Sequence, residues 1–141
     1  MRKRITTIAM AAGALLALGA CAKSNQAMLP DSVFAADLVP VYKNCELTDQ
    51  MGNESWGDEP ESYTKGNTWF FKTKASQDEL VAFYEKQFPN AERQVMDDGG
   101  IEFTLYPADA VKPYESVSVV VRDGSLQIGE SFQPRRKAKK S

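Results

Sequence analysis

The chain has 141 residues, with 17 Lys or Arg against 19 Asp or Glu, a formal net charge of −2, no histidine and two cysteines. The missing histidine excludes Ser-His-Asp triads, Cys-His dyads and the commonest transition-metal ligand. Charge is segregated along the chain: residues 22–134 hold 9 bases and all 19 acids, whereas residues 135–141 hold five bases and no acid, so an acidic body carries a basic tail.

The first element is a leader. Arg2, Lys3 and Arg4 precede an apolar run from Ile5 to Leu18, and Gly19, Ala20 and Cys21 follow. This is the charged, apolar and small-residue order of a secretory signal. The run is shorter than the roughly 20 apolar residues that span a membrane. Leu18-Gly19-Ala20-Cys21 resembles the lipobox of bacterial prolipoproteins. That resemblance implies a diacylglyceryl group on the Cys21 sulfur, cleavage just before it, and acylation of the freed amine. Two or three acyl chains then hold the protein to a membrane, since each buried methylene contributes about 0.8 kcal/mol. Ala22 lacks the aspartate that the family associates with inner-membrane retention, which favours the outer membrane where the host has two. Ala20-Cys21-Ala22 also fits a small-x-small cleavage site, which leaves ordinary secretion open as the alternative.

Removing residues 1–20 leaves a chain long enough for one domain. Residues 21–36 read as a lipidated N-terminus and flexible spacer, 37–133 as the globular domain and 134–141 as the basic tail. Val39-Pro40-Val41-Tyr42 begins the apolar packing, and residues 45–51 suit a first strand. Cys45 is the one thiol left once Cys21 is modified, so no internal disulfide is available; it reads as a small buried residue or as a site of intermolecular pairing. Residues 52–67 read as a long acidic loop, and 68–73 as a strand with Trp69 and Phe71 on one face.

Ser76 stands three residues before Glu79, the spacing of a capping box, and Leu80, Tyr84 and Phe88 then recur every four residues until Pro89 stops the helix. A short strand around 93–96 and the turn Asp97-Asp98-Gly99-Gly100 lead to Ile101, Phe103 and Leu105, which alternate with polar residues. Val117, Val119 and Val121 form another alternating set. Asp123-Gly124 predicts a two-residue hairpin turn that sets Val121 opposite Leu126 and Val119 opposite Ile128. The expected fold is α+β, a single helix packed on an antiparallel sheet of five or six strands.

The globular part is similar to a set of small bacterial lipoproteins and secreted domains with no assigned activity. The similarity rests on Val39-Pro40-Val41-Tyr42, on Phe71-Lys72-Thr73 and on Ser76 through Glu79-Leu80-Val81-Ala82-Phe83-Tyr84 to Pro89. Those proteins commonly carry Pro-Gly after the tyrosine, where this chain has Lys43-Asn44.

Two segments are candidates for function. Within 52–67, Trp56, Asp58, Glu59, Glu61 and Tyr63 suggest a cation or small-ligand site or a partner contact by Trp56, although the spacing misses an EF-hand loop. A plain solvated acidic loop is the competing reading. In the tail, Arg135, Arg136, Lys137, Lys139 and Lys140 read equally as a bare solvated tail or as contacts to an anionic surface. For an exported protein that surface is peptidoglycan, anionic lipid or another envelope protein rather than nucleic acid. The paired Asp97 and Asp98 sit in a glycine-rich turn and read as turn residues. No cofactor is implied. The expectation is a non-enzymatic lipoprotein of the cell envelope that binds a partner or the wall; the alternative is a small-molecule or calcium-binding accessory domain using the acidic loop.

Overall fold

Alternating apolar residues build a sheet, and the computed structural model, which describes residues 26–59 and 62–134, shows how far that sheet extends. In chain order the elements are α1 (Ala35–Leu38), β1 (Glu46–Ser55), β2 (Thr64–Lys72), α2 (Gln77–Gln87), β3 (Glu92–Val95), β4 (Ile101–Leu105), β5 (Ser116–Arg122) and β6 (Ser125–Phe132). The six strands form one sheet in the order β1-β2-β6-β5-β4-β3, each neighbouring pair antiparallel. The mixed α+β class is as expected, but α1 joins α2, so a single helix is not the whole helical content.

The β5–β6 hairpin pairs Val121 with Leu126 and Val119 with Ile128, the register that its apolar alternation requires. Its turn needs the left-handed conformation only at Gly124, where φ is 79°. Asp123 also reaches beyond the turn, where its carboxylate accepts the N–H of Gln77 at 2.7 Å and so pins the first turn of α2 to the hairpin. The capping box at Ser76 and Glu79 forms as the spacing demands. Leu80 and Tyr84 of α2 are fully buried against Phe103 and the valines of β5, with Val81, Phe83 and Phe88 packed at the edge.

The Tyr84 hydroxyl donates to the Pro40 carbonyl at 2.9 Å and accepts the Tyr42 N–H at 3.1 Å. Burial pushes its phenol well above the usual tyrosine range. Close by, Asn44 takes a φ of 60°, the left-handed conformation that glycine supplies most easily and that asparagine tolerates, so Lys43-Asn44 makes the turn that Pro-Gly would make. Cys45 is buried and free, and burial raises its thiol pKa against a smaller opposing effect of the hydrogen bond to Thr73.

Two boundaries differ from the sequence reading. The spacer expected to run through residue 36 ends earlier, because Leu29, Phe34, Ala35 and Ala36 belong to the core. These residues lack the even spacing of a strand or a long helix, and one side chain holds the backbone at the start of α1. Glu130, 5% exposed on β6, accepts the backbone N–H groups of Val33 at 2.8 Å, Phe34 at 3.0 Å and Ala35 at 2.9 Å, and the Asn67 amide at 2.8 Å. The loop expected over 52–67 is likewise mostly strand. β1 runs on to Ser55 and β2 starts at Thr64, with the ladder closing at Ser55 opposite Thr64. β1 is exposed along nearly its whole length, so backbone pairing rather than burial extends it, and no apolar alternation marks it.

Replacing Glu130 by Gln turns an acceptor into a donor among groups that are themselves donors, and is expected to cost on the order of 2–3 kcal/mol. Urea denaturation of Glu130→Gln beside the wild type reads that loss directly. Tyr84→Phe leaves the partly buried Tyr42 N–H and Pro40 carbonyl without this partner, and a loss of about 1–2 kcal/mol in the same measurement is expected.

Candidate functional site

Cross-strand partners share a face of the sheet, and four successive pairs of the β1–β2 hairpin fall on the face that carries the core: Gln50 with Trp69, Gly52 with Asn67, Glu54 with Lys65 and, just past the strand ends, Trp56 with Tyr63. The first two pairs grip the incoming chain. Gln50 Nε2 and Trp69 Nε1 both donate to the Pro30 carbonyl at 3.0 Å, and Asn67 Nδ2 donates to the Asp31 carbonyl at 3.2 Å. Asp31 itself adopts a φ of 67°, which turns the chain there. The hairpin continues beyond this contact: Lys65 still pairs with Phe132 of β6, and the Trp56–Tyr63 pair past the strand ends overhangs the folded body.

A cleft of about 720 Å³ lies under the overhang. Asp31 and Ser32 form one wall, Lys65 and Asn67 line its floor with Gly52, and Trp56 closes the far end. The notch owes its depth to Gly52: between Gln50 and Glu54 on the same face there is no side chain, and a Cβ added there would meet only the Gly66 carbonyl at 3.8 Å and Asn67 Oδ1 at 3.9 Å. Asn67 spends its amide N–H groups on Asp31 and Glu130, which turns its carbonyl oxygen toward the notch.

Trp56 is 74% exposed, the most exposed large apolar side chain among the described residues. It stacks on Tyr63 with ring centroids 3.9 Å apart and 29° between the planes. The Tyr63 hydroxyl donates to Glu54 Oε1 at 2.8 Å, so the ring behind Trp56 is itself braced. Ionising that phenol would break the bond and set two negative charges together, and the pKa of Tyr63 is raised accordingly. The aromatic pair is therefore a fixed platform on a strand end rather than part of a long loop.

Of the residues singled out in the sequence, Trp56 and Tyr63 are brought together, Glu54 joins them, and Asp58 and Glu59 are exposed in the connection beyond. Glu61, Cys21 and the tail residues Arg135, Arg136, Lys137, Lys139 and Lys140 lie outside the described residues. Among the described residues no three His, Cys, Asp or Glu side chains gather closely enough to hold a metal ion, and no helix is long and apolar enough to cross a membrane. Gly52, Lys65 and Asn67 escape a sequence reading because strand pairing brings them beside Trp56, and Asp31 because hydrogen bonds from Gln50, Trp69 and Asn67 to residues 30 and 31 place it there. A second concavity of about 550 Å³, at the other end of the hairpin, collects Lys43, Lys72 and Lys74 with Glu46 and Glu79. Asp98 belongs to neither cleft. Its carboxyl is held below the usual range first by the Gly100 N–H and then by Arg122, with which it pairs at 2.7 Å.

The Tyr63 brace is open to a direct check. Followed by NMR, the Tyr63 ring of the wild type is expected to titrate above free tyrosine, and in Glu54→Ala to move back toward it; an unchanged titration would remove the brace. No protein-family model, curated protein or solved structure matches this chain.

Proposed function

We propose that the chain is a lipid-anchored protein of the bacterial cell envelope, with residues 1–20 as its cleaved signal and Cys21 as the lipidated residue, and that its folded body has a binding role rather than an enzymatic one. The observation that carries this reading is Leu18-Gly19-Ala20-Cys21 directly behind an apolar run with three basic residues in front. The lack of histidine and the segregated charges support the non-enzymatic part, since the chemistry left to the body would rest on carboxylates without an activated nucleophile. Ala22 favours the outer membrane.

The early start of the core adds a geometric consequence. Residues 26–28 already form a helical turn with Met28 packed against the core, so four residues separate Cys21 from the body and can span no more than about 18 Å. Such a body stays close to the surface that holds the lipid, and the basic tail, Arg135 to Lys140, stays within reach of anionic lipid, peptidoglycan or a neighbouring envelope protein.

Mass spectrometry of the mature protein tests the anchor. The expected N-terminus is Cys21 carrying a diacylglyceryl thioether and an amide-linked chain, with Cys21→Ser leaving the precursor uncleaved. An unmodified N-terminus at Lys23 would replace this reading with ordinary secretion.

A further inference from the structure

The cleft under the hairpin overhang has a chemistry that selects among ligand classes, and the anchoring reading plays no part in that selection. Its volume falls in the range of small-molecule sites, about 300–1,000 Å³. One end is a flat indole whose back is covered by Tyr63 and whose 74% exposure leaves the other face open. Beside Phe132, the lining offers polar groups of both kinds, the Asp31 carboxylate and Asn67 carbonyl oxygen as acceptors and the Lys65 ammonium as donor, grouped around Gly52.

An anionic ligand is disfavoured by Asp31 and Glu54 on the lining and by Asp58 and Glu59 in the adjoining connection, against Lys65 alone. A wholly apolar ligand would strip water from these groups without replacing its hydrogen bonds. A single open indole face attracts a cation, but among the described residues no three carboxylates gather to hold a metal ion, and an organic cation would have to sit beside the Lys65 ammonium. A pyranose sugar satisfies every element at once. Its face of C–H bonds carries slight positive charge and suits the negative face of an indole, while its equatorial hydroxyls donate to Asp31 and Asn67 and accept from Lys65.

We propose that the cleft between the β1–β2 hairpin and residues 31–32 binds an uncharged oligosaccharide, with one pyranose ring stacked on Trp56 and its hydroxyls held by Asp31, Lys65 and Asn67. Trp56 supplies the contact area, and Gly52 supplies the depth that lets the ring reach the polar floor. The binding is non-covalent and changes no bond of the sugar.

Calorimetric titration of the full chain, kept in a zwitterionic detergent free of sugar headgroups, tests the proposal. The probes are hexamers of β-1,4-linked glucose and of β-1,4-linked N-acetylglucosamine, an oligogalacturonate, and a peptide of residues 135–141. Saturable binding of at least one neutral hexamer is expected, with oligogalacturonate weaker. Trp56→Ala is expected to weaken it by about tenfold or more, as loss of a central aromatic contact does. Gly52→Val fills the notch and is expected to weaken it similarly. Neither substitution touches the core, so circular dichroism and thermal unfolding should match the wild type. The proposal is overturned if neither neutral hexamer binds, if both variants bind as well as the wild type, or if oligogalacturonate or the tail peptide binds more tightly than the sugars. Lipidation of Cys21 is read by mass spectrometry and stands or falls apart from these titrations.

Discussion

The carboxylate of Glu130 stands where two needs meet. It lies on the covered face of β6 in register with Leu126, Ile128 and Phe132, where an unpaired charge would cost several kcal/mol. The N–H groups of Val33, Phe34 and Ala35 lie at the start of α1, where no acceptor within the helix is available to them. Each side removes the other's penalty, and the chain from Leu29 to Val39 is thereby ordered as half of the sheet's cover. Asn67 joins the same carboxylate, which fixes the height of Pro30 and Asp31 above the hairpin and hence one wall of the cleft.

The other half of the cover is α2, positioned from both ends. Its start is tied to the β5–β6 turn through Asp123, and its middle is tied to the first half of the cover by the Tyr84 hydroxyl, which meets Pro40 and Tyr42. The sheet therefore has one lid made of two joined pieces. The end of the β1–β2 hairpin beyond Gly52 and Asn67 is the part that this lid does not reach, which is why that end is exposed and why a cleft can form beneath it.

Much of this was legible in the residues. Burial on one face leaves a periodic trace, so the valines of β5, the alternation of β4, the Asp123-Gly124 turn and the capped stripe of α2 could be placed, with residue pairing legible only for the β5–β6 hairpin. The hairpin overhang left no such trace, because both faces of β1 meet water and Gly52 to Ser55 look like loop residues one at a time. The N-terminal cover was missed for a related reason: Leu29 and Phe34 follow no period, and the backbone from Val33 to Ala35 is held by one distant carboxylate. A clue did exist in β6, where Glu130 occupies an inward position between Ile128 and Phe132; an acid on a buried face requires donors, and the unassigned segment upstream could have been suspected of supplying them. For the site, Trp56 and Tyr63 were singled out from composition, but their stacking and the set of Asp31, Gly52, Lys65 and Asn67 depend on strand register, which composition does not carry.

β1 also has a free outer edge ten residues long, a feature that commonly leads to polymerisation when proteins are crowded together. Here the edge carries Glu46, Asp49 and Glu54 and no base, and its register slips between Leu47 and Asp49. Two copies brought edge to edge would set like charges against each other along a strand that is not straight. That combination disfavours edge-to-edge pairing of copies, so the hairpin end can remain uncovered without a partner strand.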